Sequence, residues 1–157
     1  VSLTESEAHR GDDEQSLQET YAAMRAKVRE SFADFAARLP VGQGDHRLMG
    51  TSGTVTTLAS VYLNLPSYDR RQIDGLHLPT SAMREISQTL ASRPPKGRAE
   101  FPTIGHERAD LVVAGCAILE TIFDIWPGER LGVADRGIRE GILRALMASD
   151  ARRRKRR

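Results

Sequence analysis

One stretch constrains this chain more than any other: Met49-Gly-Thr-Ser-Gly-Thr-Val-Thr-Thr-Leu58, where two glycines bracket two hydroxyl residues. His46-Arg-Leu-Met49 reads as a short strand, the Gly-Thr segment as a tight turn, and Val55 to Tyr62 as the helix that leaves it. Gly50 and Gly53 are expected to admit backbone angles closed to other residues and to let a ligand reach the main chain. Thr51, Ser52 and Thr54 bring hydroxyls to a helix N-terminus whose free N–H groups favour anions. Such a turn can hold phosphate. It is not a Walker loop, because Val55 rather than lysine follows the hydroxyl residues, and its glycine spacing is not the dinucleotide fingerprint. On these five residues alone, a capped strand-to-helix turn with no ligand is the simpler reading.

The remaining composition bounds the answer. With 157 residues, 39% hydrophobic and 28% charged, the chain has the make-up of one ordinary globular domain. A single cysteine, Cys116, excludes an internal disulfide, and His9, His46, His77 and His106 stand too far apart for metal-ligand spacing. Cys116 lies in an apolar stretch and reads as packing. The longest apolar segment, Ala109 to Trp126, carries Asp110, Glu120 and Asp124, so no membrane span is expected. A reducing cytoplasm fits these features. The formal charge of +2 includes six basic residues at 152–157; subtracting six leaves −4 for the body. That terminal run is expected to be disordered and solvated, and nucleic acid is not expected as a partner. The chain opens on Val1, inside a Val-Ser-Leu-Thr-Glu alternation that reads as a strand end, and so is expected to be a piece of something longer.

In chain order, Leu17, Tyr21, Met24, Val28, Phe32, Phe35 and Leu39 recur at steps of three and four and predict a long amphipathic helix ended by Pro40. After the Gly-Thr helix, Ile73, Leu76 and Leu78 suggest a brief extended segment. Thr80 or Ser81 is expected to cap a helix carrying Met83, Ile86 and Leu90, stopped at Arg93-Pro-Pro. His106 to Trp126 predicts one central helix, with Ala114 and Gly115 allowing close backbone approach. Arg130 to Asp135 reads as a strand. A helix from Arg136 to Met147 follows, with Ile138, Ile142, Ala145 and Leu146 inward and Asp135 as its N-cap.

Three stretches taken together resemble the successive motifs of the exopolyphosphatase / guanosine pentaphosphate phosphohydrolase (Ppx/GppA) family: Gly50-Thr-Ser-Gly-Thr54, Glu107-Arg-Ala-Asp-Leu-Val-Val-Ala-Gly-Cys-Ala-Ile-Leu119, and Val133-Ala-Asp-Arg-Gly-Ile-Arg-Glu-Gly-Ile-Leu143. Their order in one chain is more specific than any of them singly. The resemblance covers nearly the whole chain and matches the second half of the family's two-domain core. It implies an α/β, ribonuclease-H-like second lobe of the actin, sugar kinase and Hsp70 superfamily, three-layered, with an incomplete mixed sheet. The lobe would occupy residues 1–148, followed by a basic disordered tail at 149–157.

The resemblance further implies hydrolysis of the terminal phosphate of polyphosphate, or of the 5′ γ-phosphate of guanosine pentaphosphate (pppGpp), by Mg²⁺-assisted attack of water. The family's Asp-x-Gly-Ser loop, catalytic glutamate and Asp-x-Gly-Gly-Gly-Ser loop precede the point where this chain begins. No catalytic or metal-binding residue is therefore expected here, and Mg²⁺ ligands would lie outside it. Gly50, Thr51, Ser52, Gly53 and Thr54 are the expected phosphate-binding residues. Arg108 and Asp110 either form a helix-start ion pair or face the cleft. Asp135 reads as a cap before a metal ligand, Arg136 and Arg139 as cleft candidates, and Glu140 has no motif-based claim to be the general base.

The expected partners are polyphosphate or guanosine pentaphosphate, the missing N-terminal lobe, and a second copy joined at the exposed sheet edge. Such a lobe would be inactive alone. The alternative is a non-catalytic module that keeps the Gly-Thr turn to sense polyphosphate or guanosine tetraphosphate.

Overall fold

The computed structural model describes residues 2–6, 11–39, 47–51 and 53–154. Nine helices and three strands are present among them. The first helix, α1 (Ser2–Ser6), is short, and the second, α2 (Glu14–Arg38), is the longest. Asp13 starts α2: its carboxylate accepts from the Ser16 backbone N–H at 3.0 Å and from the Ser16 hydroxyl at 2.6 Å. The apolar stripe then seats Leu17, Tyr21, Met24 and Val28 in the core.

Strand β1 (Leu48–Gly50) leads into α3 (Gly53–Tyr62), whose residues 55–60 are all buried. A single turn, α4 (Arg70–Ile73), precedes strand β2 (His77–Pro79) and α5 (Thr80–Ala91). Pro94 and Pro95 end that run and open α6 (Pro95–Ala99), where proline at the first helical positions sacrifices no hydrogen bond. Two further helices, α7 (Gly105–Arg108) and α8 (Leu111–Ile125), precede strand β3 (Arg130–Val133) and α9 (Ile138–Arg154).

The sheet is mixed, in the order β1-β3-β2. β1 lies parallel to β3, with Leu48, Met49 and Gly50 opposite Leu131, Gly132 and Val133. β2 lies antiparallel, with His77, Leu78 and Pro79 opposite Gly132, Leu131 and Arg130. Among the described residues β1 pairs on one side only. The parallel strands therefore end together at Gly50 and Val133, and the loops that leave them share one rim of the sheet.

α8 is the axis of the core. Val112, Val113, Ala114, Cys116, Ala117, Leu119 and Phe123 are buried between α2 and α5. Cys116 packs fully buried in this core, and burial pushes its thiol up to about 12. An ionic clip joins the three helices. Asp124 on α8 receives Arg25 at 2.6 Å, Arg29 at 2.8 Å and Arg84 at 2.9 Å. Beneath it Glu120, 1% exposed, sits 3.2 Å from Arg25 Nη1, yet neither of its oxygens receives an aligned hydrogen bond.

Several expectations are corrected. Residues 2–6 form a helix instead of a strand end: the alternation is too short to fix a period, and Leu3 packs on the core from a helical turn. The predicted central helix is interrupted at Ala109-Asp110, because the Ala109 carbonyl turns to accept from Arg98 Nη1 at 3.2 Å. Arg98 is itself buried and also caps the end of α5 through the Leu90 carbonyl at 2.9 Å. No side chain caps α5; the Thr80 hydroxyl instead donates to the Gly128 carbonyl at 2.6 Å.

The last helix differs most. Ile138, Ile142 and Leu146 are 56–82% exposed instead of inward, and Ala145 is exposed as well, because no described element packs extensively against α9. It also runs through Arg154, into the stretch 149–157 expected to be a disordered tail; Ala and Arg propagate a helix well. No helix of the described residues is long and apolar enough to cross a membrane.

Candidate functional site

The candidate site lies at the rim where β1 ends. A groove of about 190 Å³ opens there, lined by Gly53, Thr54, Thr57, Arg108, Leu111 and Val112. The first turn of α3 forms one wall and the first turn of α8 the other. Each turn leaves backbone N–H groups without intrahelical partners, and both helix dipoles present their positive ends to the groove. Arg108, exposed on the last turn of α7, adds a full positive charge. No ion pair engages it among the described residues, and Asp110, also exposed, does not bridge to it as one reading of the sequence had it. Every charged element of this groove is positive, and no carboxylate lines it.

Glycine at 53 has a different explanation from the one its sequence position suggests. Neither Gly50 nor Gly53 has a positive φ; among the described residues only Gly75, Gly105 and Asn64 do. Gly50 is required by packing, since a Cβ there would lie 2.5 Å from Val55 Cγ2. Gly53 meets neither requirement: a Cβ there would find nothing within 4 Å. The face of Gly53 at the head of α3 is open space.

Thr54 is held from the other side. A Cβ on Gly115 would fall 2.2 Å from Thr54 Oγ1, so the bare backbone of α8 presses directly on that side chain and fixes the distance between the two groove walls. Thr51 is exposed at the end of β1, next to the groove in sequence. Ser52 lies outside the described residues.

Asp135 and Arg136 lie elsewhere. They leave the same rim from β3, but side chains from the segment after α3 engage them. The Asp135 carboxylate accepts from the Tyr68 hydroxyl and pairs with Arg70 Nε at 3.2 Å. Asp74 accepts from the Asp135 backbone N–H at 3.0 Å and pairs with Arg136 Nε at 3.1 Å. Burial first, and then the Asp135 carboxylate, pushes the Tyr68 phenol up to about 12. Asp135 is thus not the cap of α9, which begins only at Ile138. The start of α9 is instead capped by Glu140, which reaches back to the Gly137 N–H at 2.8 Å. The partners of Asp135 stand more than 60 residues away in sequence, and no local signal could have named them.

The sequence profile of the Ppx/GppA phosphatase family matches residues 1–150. The chain belongs to that family. Exopolyphosphatase 2 of Mycobacterium tuberculosis is 30% identical over 122 residues, which is 78% of this chain and 37% of that protein. Among solved structures, the Ppx/GppA family member of Aquifex aeolicus superposes with a TM-score of 0.80 at 24% identity, covering 96% of this chain and 46% of that one. An exopolyphosphatase from Cytophaga hutchinsonii gives a TM-score of 0.70 at 17% identity, covering 83% and 42%. The chain therefore has the α/β fold of these family members and spans less than half the length of the relatives it matches. Its groove walls, at the heads of α3 and α8, come from two of the three Ppx/GppA motif segments that the sequence singled out.

Proposed function

We propose that this chain is the phosphate-gripping second lobe of a cytoplasmic phosphatase that removes the terminal phosphate from polyphosphate or the 5′ γ-phosphate from guanosine pentaphosphate. The observation that carries the reading is the groove at the heads of α3 and α8, where two helix N-termini, an unpaired Arg108 and the open face of Gly53 meet. A phosphate oxygen seated there would accept hydrogen bonds from main-chain N–H groups at the head of α3 and charge from the guanidinium. The pocket grips and orients; it holds no group that could activate water.

Magnesium does not fit this lobe by itself. Among the described residues no group of three or more His, Cys, Asp or Glu could hold a metal ion, and the groove lacks carboxylates. No step is routed through a metal here.

A preceding lobe is supported by the surface left uncovered. Two surfaces stand open. One is the apolar face of α9. The other is the unpaired edge of β1, beside an apolar groove of about 340 Å³ lined by Met49, Val55, Ile118 and Ile122. An added strand with apolar side chains would satisfy both the backbone and the groove.

Calorimetric titration with short-chain polyphosphate tests the site. Binding should be lost in a Gly53→Val, Thr54→Val double variant that retains its circular dichroism. Equal binding by parent and variant would place the ligand elsewhere. The chain alone should release no phosphate from polyphosphate, and release by the purified chain would refute its role as a half-site.

A further inference from the structure

α7 and α8 are parted by two residues whose own backbone is helical. Ala109 and Asp110 have φ/ψ of −56°/−35° and −81°/−33°, and neither glycine nor proline stands between Arg108 and Leu111. Backbone conformation therefore does not end the helix there. A helix broken without such residues is broken where a side chain enters its i→i−4 hydrogen-bond ladder. Arg98 is that side chain. It is 5% exposed, its Nε donates to the Leu90 carbonyl at 2.9 Å, and its Nη1 donates to the Ala109 carbonyl at 3.2 Å. No carboxylate forms an ion pair with it among the described residues. Burying an unpaired guanidinium is costly unless its donors are used. Here they join the end of α5 to the junction of α7 and α8.

The consequence falls on the groove. In an uninterrupted helix, the N–H groups of Leu111, Val112 and Val113 would bond to the carbonyls of Glu107, Arg108 and Ala109, four residues before each. The positive end of the helix dipole would sit at the start of α7 instead of α8, six residues or about 9 Å away. Its effect fades within one turn. With the ladder open, those N–H groups and that positive end stand at the groove lined by Arg108, Leu111 and Val112.

We infer that Arg98 is the positioning residue of this groove: by drawing the Ala109 carbonyl away from Val113 it keeps the head of α8 free to meet phosphate. The inference rests on the phosphate-binding reading given above. Arg98 itself does not line the groove and acts only through the helix it interrupts.

Scalar couplings across hydrogen bonds, read by NMR on the isotope-labelled chain without ligand, test the state of the ladder. The parent should show no coupling between the Val113 amide and the Ala109 carbonyl. In Arg98→Met, with circular dichroism confirming its fold, that coupling should appear. Calorimetric affinity of this variant for tripolyphosphate should fall about tenfold or more, as charge-assisted hydrogen bonds at the head of α8 are lost. Loss of a merely structural contact would lower Tm without closing a new hydrogen bond. Should Arg98→Met fail to fold, Arg98→Lys keeps the charge but not the fork that reaches both carbonyls, and the same coupling should appear there. A Val113–Ala109 coupling in the parent, a folded variant without it, or a folded variant that binds as tightly as the parent would each overturn the inference. No binding of tripolyphosphate by the parent would instead sink the proposed function, and the couplings would still decide whether Arg98 holds the ladder open.

Discussion

Replacing Gly115 with alanine sets two known effects against each other. Gly115 sits in the middle of α8, where alanine is intrinsically favoured by about 1 kcal/mol. Against this, the new Cβ would fall 2.2 Å from Thr54 Oγ1, 2.6 Å from Cγ2 and 2.9 Å from Cβ. Rotating the Thr54 side chain relieves the first two contacts but not the third, so α3 and α8 must part. Overpacking of this kind costs about 1–3 kcal/mol. The net loss is then about 0–2 kcal/mol, and each kcal/mol should lower Tm by about 2–4 °C in a chain of this size.

Because the net value passes close to zero, the decisive quantity is the coupling between the two sites. Thr54→Gly removes the side chain that clashes, so Gly115→Ala in that background should regain the helix-propensity gain. The cycle of four proteins, unfolded in urea and followed by circular dichroism, should give a coupling energy of about 1–3 kcal/mol. A Gly115→Ala variant more stable than the parent, with no coupling to Thr54, would refute the contact. In the single variant the groove wall also shifts, so polyphosphate affinity should fall along with stability.

Other consequences follow from the charged groups. Burial, opposed by Arg25 and Arg84, pushes the Glu120 carboxyl above its ordinary 4.5. The folded chain thus holds that proton more tightly than the unfolded one, and Glu120 contributes less stability as pH rises from 4.5 through its raised folded value. Glu120→Gln should therefore gain Tm relative to the parent on going from below pH 4.5 to neutral; a constant or shrinking difference would contradict this. The Asp135 backbone N–H, opposed by burial and aided by Arg136, holds the Asp74 carboxyl below its ordinary 3.8. That contribution is present above 3.8 and disappears as pH falls through the lowered value, so at neutral pH Asp74→Ala should speed hydrogen exchange at the Asp135 amide, and unchanged protection would rule out the contact. Arg108→Ala should weaken polyphosphate binding and flatten its salt dependence, while Arg108→Lys retains part of both; binding unaffected by the alanine change would remove Arg108 from the site.

Much of the molecule was legible in one dimension because local periodicity governs it. The α2 stripe, the proline stop after α5 and the strand-turn-helix at Gly50 each follow from residues within a few turns of one another. The motifs that signalled the Ppx/GppA family are of the same kind, contiguous and in order. The break between α7 and α8 escaped notice because its cause, Arg98, approaches from a separate helix. The clip of Arg25, Arg29 and Arg84 on Asp124 was equally hidden, since exposed and paired arginines look alike in a helical pattern.

The sequence by itself determined which residues share a face and which segments carry the family's motifs. The tertiary structure alone decided what each face meets. It packed α8 between α2 and α5, but left the apolar residues of α9 in solvent, although periodicity marks both helices as inward-facing. It turned Gly50 and Gly115 into packing requirements and left the face of Gly53 open. It joined Asp135 to Tyr68, Arg70 and Asp74, while bringing Arg108 across to the head of α3. The physical reason is the same throughout. Periodicity and turn chemistry act over a few residues of backbone, whereas burial, ion pairing and steric contact depend on distances between segments that the chain alone does not fix.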